Sequence, residues 1–286
     1  MAKKAGAIRI GVGGWTFEPW RDNFYPRGLK HDDELAHASR RLTSIEINGT
    51  YYRLQTPASF AKWRDATPED FVFAVKASRY STNRKVLAEA GESIERFFAS
   101  GLAELGPKLG PVVWQFAPTK AFDAEDFAAF LDLLPRKLGA LPLRHAMEVR
   151  HKSFMTTDYL ALARRHKVAT VFADSDEYPA FADLSADFVY ARLMKTESSV
   201  PTGYPPERIA FWADCCRTWA SGADPCGLPK LEPSGAIDPI PAAKPRDVFM
   251  YFISGAKERA PAAATATLAA LGWTGAPTAE PLRPGS

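Results

Sequence analysis

Short apolar runs rich in Val, Ile, Phe and Tyr recur along the chain at residues 8–13, 42–48, 71–76, 111–116, 145–149, 168–174, 188–194 and 248–252. Their length, composition and mostly Gly, Pro or polar borders predict strands. Between them, helical patterns run over 33–41, 58–66, 93–105, 124–133, 157–166, 206–220 and 256–271. Phe127, Phe130, Leu131 and Leu134 recur at the spacing of one helix face, and Asp123 just ahead of them predicts an N-cap. Strands alternating with helices in this way indicate a parallel α/β protein. Eight units fit a closed (β/α)8 TIM-type barrel better than a doubly wound sheet. Gly11-Val-Gly-Gly-Trp15 superficially resembles a dinucleotide fingerprint, but it lacks the third glycine and leads into a Pro- and aromatic-rich loop. Those glycines are expected to turn the backbone tightly and bring Trp15 over the barrel mouth.

Six of the runs end in water-loving groups: Glu46 with Asn48, Lys76, Gln115, Glu148, Asp174 and Arg192. In a parallel barrel, all carboxyl ends of the strands meet on one face, so these side chains are expected to converge there. Strand alternation sharpens the expectation. Ile45 and Ile47 suit the helical layer, which turns Glu46 and Asn48 toward the axis; Met147 and Val149 do the same for Glu148 and Arg150. Tyr190 shares a side with Arg192, and Ala74 with Lys76. Trp114, opposite in phase to Gln115, is expected to pack under helices. Buried charges are costly unless paired, so the set should form a mutual network or meet a ligand.

The first functional expectation is a metal-independent hydrolase, lyase or isomerase acting on a small polar, anionic or sugar-like compound. Glu46 and Glu148 form its acid/base pair, with Lys76 stabilising negative charge and Asp174 a further catalytic candidate. Arg150 and Arg192 grip an anionic group. Asn48, Gln115 and Tyr51 fix orientation; Trp15, Tyr52, Arg53 and His151 complete the substrate-binding candidates. His151 either orients a carboxylate or caps the following helix. No cofactor or metal is expected. A divalent-metal isomerase or phosphoesterase, using Glu46, Glu148, Asp174 and His151 as ligands, is an alternative that the neighbouring cations disfavour. Another is a nucleic-acid-binding or repair-type protein with Arg53, Lys76, Arg79, Arg150 and Arg192 on phosphates and Trp15 or Tyr51 stacking, less favoured than a small ligand. His31, His37, His145 and His166 read as surface or helix-end residues without a role.

Composition narrows the setting. A net charge of +3 gives no general argument for nucleic acid or a membrane surface. The opening Met1-Ala-Lys-Lys-Ala-Gly6 runs straight into the first strand with no long apolar stretch, so a soluble cytoplasmic protein with no membrane partner is expected. Cys215, Cys216 and Cys226 have neither zinc nor disulfide spacing. One barrel domain is expected over residues 7–272, with a Pro/Gly-rich flexible insertion at 222–246 on the face opposite the strand exits and a flexible tail at 273–286. Oligomeric state has no sequence signal.

The strings Gly13-Gly-Trp15, Ser44-Ile-Glu-Ile-Asn-Gly-Thr-Tyr-Tyr-Arg53, Phe73-Ala-Val-Lys76, Gln115-Phe-Ala-Pro118, Met147-Glu-Val-Arg-His-Lys-Ser-Phe154 and Tyr190-Ala-Arg-Leu193 occur in that order. Together they resemble the YecE-like family, the domain of unknown function seventy-two, over about residues 7–272. The resemblance implies a TIM-type barrel and supplies no established reaction. Its polar motif positions here are Glu46, Asn48, Tyr51, Tyr52, Arg53, Lys76, Gln115, Glu148, Arg150, His151, Asp174 and Arg192. Where the family often carries an Asn-Asn pair after the eighth strand, this chain has Phe252-Ile-Ser-Gly255, leaving Ser254 and the Gly255 backbone in that place.

Overall fold

The computed structural model describes residues 5–21, 23–231 and 244–275. Its ten strands in chain order are β1 (Ile8–Gly13), β2 (Ser44–Ile47), β3 (Val72–Lys76), β4 (Leu109–Gln115), β5 (Lys137–Leu138), β6 (Leu141–Pro142), β7 (His145–Glu148), β8 (Ala169–Asp174), β9 (Phe188–Leu193) and β10 (Asp247–Phe252). All but β5 and β6 close into one parallel barrel that follows chain order, β10 pairing back onto β1 from Ile8–Val248 to Val12–Phe252. Each barrel strand coincides with a predicted run. The β5–β6 ribbon is antiparallel and has no counterpart in the apolar pattern.

Strand alternation sorts the side chains into two cores. Ile45, Ile47, Phe73, Val75, Trp114, Met147 and Phe172 enter the outer core shared with the helices. Ala74, Val113, Ala146, Val171, Tyr190 and Tyr251 fill the barrel. The Trp114 indole donates to His145 Nδ1 at 3.0 Å within the outer layer, and His145 Nε2 lies 2.7 Å from the Pro135 carbonyl oxygen. His145 is therefore no surface residue: it is 1% exposed, and burial pushes its pKa down to about 4.

The helices include α1 (Glu34–Ser39), α2 (Gly49–Tyr52), α3 (Pro57–Asp65), α4 (Arg79–Thr82), α5 (Gly91–Ala99), α6 (Ala124–Asp132), α7 (Thr157–Arg165), α8 (Pro206–Ser221) and α9 (Ala260–Ala270). Asp123 caps α6 as expected, accepting from the backbone N–H groups of Glu125 at 3.1 Å and Asp126 at 3.0 Å. The helix expected over 93–105 stops at Ala99 because Gly101 turns left-handed at φ 112°. A Cβ there would lie 2.6 Å from Pro57 Cα, so the close approach of α3 requires glycine.

Residues 175–187, between β8 and β9, form no helix. Phe181, Ala182 and Leu184 are buried there and cover the barrel wall. Two backbone donors tie them to the start of the Pro/Gly-rich insertion: Ala182 N–H reaches the Pro229 carbonyl at 2.7 Å, and Leu231 N–H reaches Asp183 Oδ2 at 2.8 Å. The expected insertion at 222–246 is thus packed at its beginning; its residues 232–243, like 276–286 of the expected tail, lie outside the described residues. Cys215 and Cys216 are buried in α8, while Cys226 is exposed. Among the described residues, no helix is long and apolar enough to cross a membrane.

Candidate active site at the carboxyl end of the barrel

Glu46, Lys76, Gln115, Glu148 and Arg192 end neighbouring parts of the barrel in the inward phase and are all buried. Arg192 is the hub. Its Nη2 donates to Glu46 Oε1 at 3.0 Å and its Nη1 to Glu148 Oε2. Gln115 Nε2 also donates to Glu148 Oε2, at 2.8 Å, and Arg150 Nε reaches Glu148 Oε1 at 2.8 Å. The Tyr190 hydroxyl donates to Glu46 Oε2 at 2.6 Å. Every oxygen of the two carboxylates is therefore occupied, which is the condition for keeping such charges in an interior.

Burial alone would raise the Glu148 pKa, but the attraction of Arg192, Arg150 and Lys76 outweighs it and holds the carboxyl at about 2. A group so acidic has no proton to donate near neutrality. Of the expected acid/base pair Glu46 and Glu148, Glu148 is therefore unsuited to the acid role; both carboxylates are hydrogen-bonded members of one ion lattice. The same lattice raises the Arg192 pKa against the pull of burial, so this guanidinium stays charged.

Lys76 has a different environment. Its ammonium is 4.2 Å from the Tyr51 ring centroid, over the π face, and among the described residues no oxygen accepts a hydrogen bond from it. Burial and the Arg192 charge lower its pKa to about 8, with Glu46 and Glu148 pulling only partly the other way. Because Arg192 and Arg150 offset the two carboxylates, burial dominates at Lys76. Two carboxylates face three cations in this cluster, a net charge of +1 when Lys76 is protonated.

Other expected site residues are placed as follows. Tyr51 adjoins Lys76 and receives a 3.4 Å hydrogen bond from Asn83 Nδ2. Asn48 is half-buried at the end of β2, and a Cβ on Gly13 would stand 2.6 Å from its Nδ2, so Gly13 makes room for that amide. Tyr52 and Arg53 are exposed on the rim. The His151 side chain caps the turn Lys152–Phe154, bonding Ser153 Oγ at 2.7 Å, the capping alternative of the two expected.

Two positions fall outside the cluster. Asp174 has the parity of Phe172, which points to the helical layer, and its partners are Lys195 at 3.6 Å and the Tyr204 hydroxyl at 3.5 Å. Burial raises its pKa, and Lys195 offsets part of that. Trp15 does not cover the mouth: it packs edge-on against Trp63 at 5.1 Å and against Phe73 at 6.5 Å, in the outer layer. Its carbonyl is held by the Tyr25 hydroxyl at 2.5 Å. As a divalent-metal set, Glu46, Glu148, Asp174 and His151 do not fit, since Asp174 and His151 point elsewhere and the glutamate oxygens are taken.

Tyr190 and Tyr178 were missing from the sequence-derived set. The parity of Tyr190 with Arg192 was a usable signal. Tyr178, whose ring stacks 4.2 Å from the Arg150 guanidinium, belongs to the helix-free stretch and had none. At the eighth strand, the Ser254 carbonyl accepts from Thr196 Oγ1 at 2.8 Å. Gly255, at φ 74°, lies so close to Thr196 that a Cβ would meet its carbonyl oxygen at 2.6 Å.

The family model described as "Protein of unknown function DUF72" matches residues 9–285. Among curated proteins, UPF0759 protein YunF of Bacillus subtilis is 28% identical over 53% of this chain and 54% of its own. UPF0759 protein YecE of Escherichia coli K12 is 27% identical over 51% of this chain and 50% of its own. The chain thus spans about half the length of these curated relatives. Among solved structures, a DUF72 family protein from Enterococcus faecalis V583 superposes with a TM-score of 0.68 at 17% identity, over 93% of this chain and 96% of that one, a likeness of fold.

Proposed function

The chain belongs to the DUF72 family, and on that premise we propose that the carboxyl end of its barrel is an active site for a small anionic or sugar-like compound, with Lys76 as the proton-exchanging group. The observation that carries this reading is the buried Lys76 ammonium, which has no oxygen partner among the described residues and a pKa lowered to about 8. An amine of that basicity is neutral in roughly a quarter of molecules near pH 7.5, whereas an ordinary lysine is almost wholly charged. General bases work best with a pKa near the working pH. The neutral Nζ takes a proton from the substrate, and the resulting ammonium stabilises the negative charge left behind. This is the proton-transfer step that lyases and isomerases share.

The Glu46–Arg192–Glu148–Arg150 lattice serves this chemistry by position. Its two arginines offset the pull of its two carboxylates on Lys76, which lets burial lower the basicity of that amine; while Lys76 is protonated, the cluster carries a net +1 that favours the arrival of an anionic substrate. Gln115 and Tyr190 hold the carboxylates in place. Metal-dependent chemistry at these glutamates finds no support in their occupied oxygens.

The test is the basicity of Lys76. Amine-selective labelling across pH, read by peptide mass spectrometry, should give a midpoint near 8 for Lys76. Anions that occupy the mouth should slow its labelling. A midpoint at the ordinary lysine value of 10.5 would remove Lys76 from the proposed role. With a substrate found by metabolite screening, Lys76→Met should lower turnover by more than about a hundredfold.

A further inference from the structure

The loops that follow β2 and β3 carry an unusual surface. Six large apolar or aromatic side chains stand exposed among the described residues, and four of them lie here: Tyr52 at 63%, Tyr80 at 60%, and Leu54 and Val86 at 40% each. The same loops hold Arg53, Arg79, Arg84 and Lys85, none of which has a carboxylate within ion-pair distance among the described residues. Residues 48–56 and 77–88 contain no acidic residue at all. Arg79 lies between the two exposed rings, its guanidinium 5.9 Å from the Tyr52 centroid and 5.4 Å from that of Tyr80. Beside it, a groove of about 380 Å³ is lined by Arg79, Tyr80, Asn83 and Arg84.

We propose that this rim is a docking platform for single-stranded nucleic acid, with Tyr52 and Tyr80 stacking on bases and Arg53, Arg79 and Arg84 contacting phosphates. Charge decides that the partner is anionic. The rings decide among anionic partners: exposed aromatic faces alternating with guanidinium groups that have no carboxylate partner among the described residues are what a strand with splayed bases needs. A lipid surface would call for a larger aliphatic wedge than two side chains that are each more than half covered. This platform differs from the barrel-mouth arrangement expected from the sequence, in which Arg150 and Arg192 contacted phosphates, because both are committed to Glu148.

Binding of fluorescent DNA and RNA oligonucleotides of about twelve nucleotides, followed by anisotropy, tests the proposal. Affinity should fall with salt at a log–log slope of about −2 to −3, as for three or four phosphate contacts. Replacing Tyr52 and Tyr80 together by Ala should weaken binding about tenfold or more with the salt slope unchanged. Arg79→Ala should weaken binding and make the slope shallower. Unchanged melting temperatures identify the variants as folded, as expected for exposed positions. No binding at low salt, binding indifferent to the tyrosine pair, or stronger retention on phosphatidylserine vesicles than on oligonucleotides would each overturn it.

Discussion

Lys76 and Lys108 sit at opposite ends of the same barrel, each only 7% exposed, and their ammonium groups are treated in opposite ways. Lys108, just before β4, donates to the Arg64 carbonyl at 2.6 Å, the Thr67 carbonyl at 2.8 Å and Thr67 Oγ1 at 3.1 Å, so all three of its protons are used. Lys76, closing β3, has a phenol ring and, among the described residues, no oxygen partner. The ends differ in the same sense in their arginines. Arg144 at the amino end pairs with a half-exposed Asp247 at 2.7 Å and covers the Phe249 ring, whereas Arg192 is enclosed between two buried carboxylates. A cavity of about 560 Å³, lined in part by Arg144 and Lys167, is at the amino end too. Satisfied groups tie a fold together; an unsatisfied, buried amine is left available for something else.

The contrast can be broken most forcefully at the arginines. Arg192→Met strands Glu46 and Glu148 in the interior and should cost about 3–5 kcal/mol in urea denaturation. Arg144→Met, at a partly exposed pair, should cost about 1 kcal/mol or less. Equal losses would erase the distinction between the ends.

Acid should act next. Folded His145 stays neutral down to about 4, while the unfolded chain takes up that proton near 6.5. The unfolded state then binds more protons within that window, so stability falls as pH drops through it, by about 3 kcal/mol. Glu148 adds to the loss below 4.5, because its folded pKa is depressed to about 2. In His145→Phe, the decline between pH 6.5 and 4 should flatten; curves parallel to those of the parent protein would refute the assignment.

The lysines give the most direct comparison. Lys108→Met leaves two backbone carbonyls without their donor and should cost about 1–3 kcal/mol. Lys76→Met should instead stabilise the protein at pH 7, by up to about 3 kcal/mol. Because the folded pKa is lowered, this gain should be complete below pH 8 and vanish as pH rises to 10.5. A destabilised Lys76→Met would mean that Lys76 has a structural partner after all.

Much of this architecture was legible in the residues because strand period and barrel closure are local and geometric. The parity of Ile45, Ile47 and Met147 was enough to aim Glu46 and Glu148 inward. Parity also explains the error at Asp174: as the last polar residue of an apolar run it was grouped with the others, although Phe172 sets its phase outward. Trp15 was misplaced because its destination is decided by Trp63 and Phe73, far away in sequence. His145 looked solvent-exposed because nothing nearby in the chain announces a tryptophan donor thirty-one positions earlier. The basicity of Lys76 was unreadable for a further reason: it follows from its burial and from how four other charges offset one another, both of which depend on distances.

The short stretch between β8 and β9 makes one demand on anyone who would edit this protein. Where other strands are backed by helices, this wall leans on residues 181–184, and those are pinned by Pro229 and Leu231 from a segment that reads as dispensable linker. Trimming the linker from residue 225 onward would remove both hydrogen bonds of this clasp. Any shortening has to begin beyond Leu231.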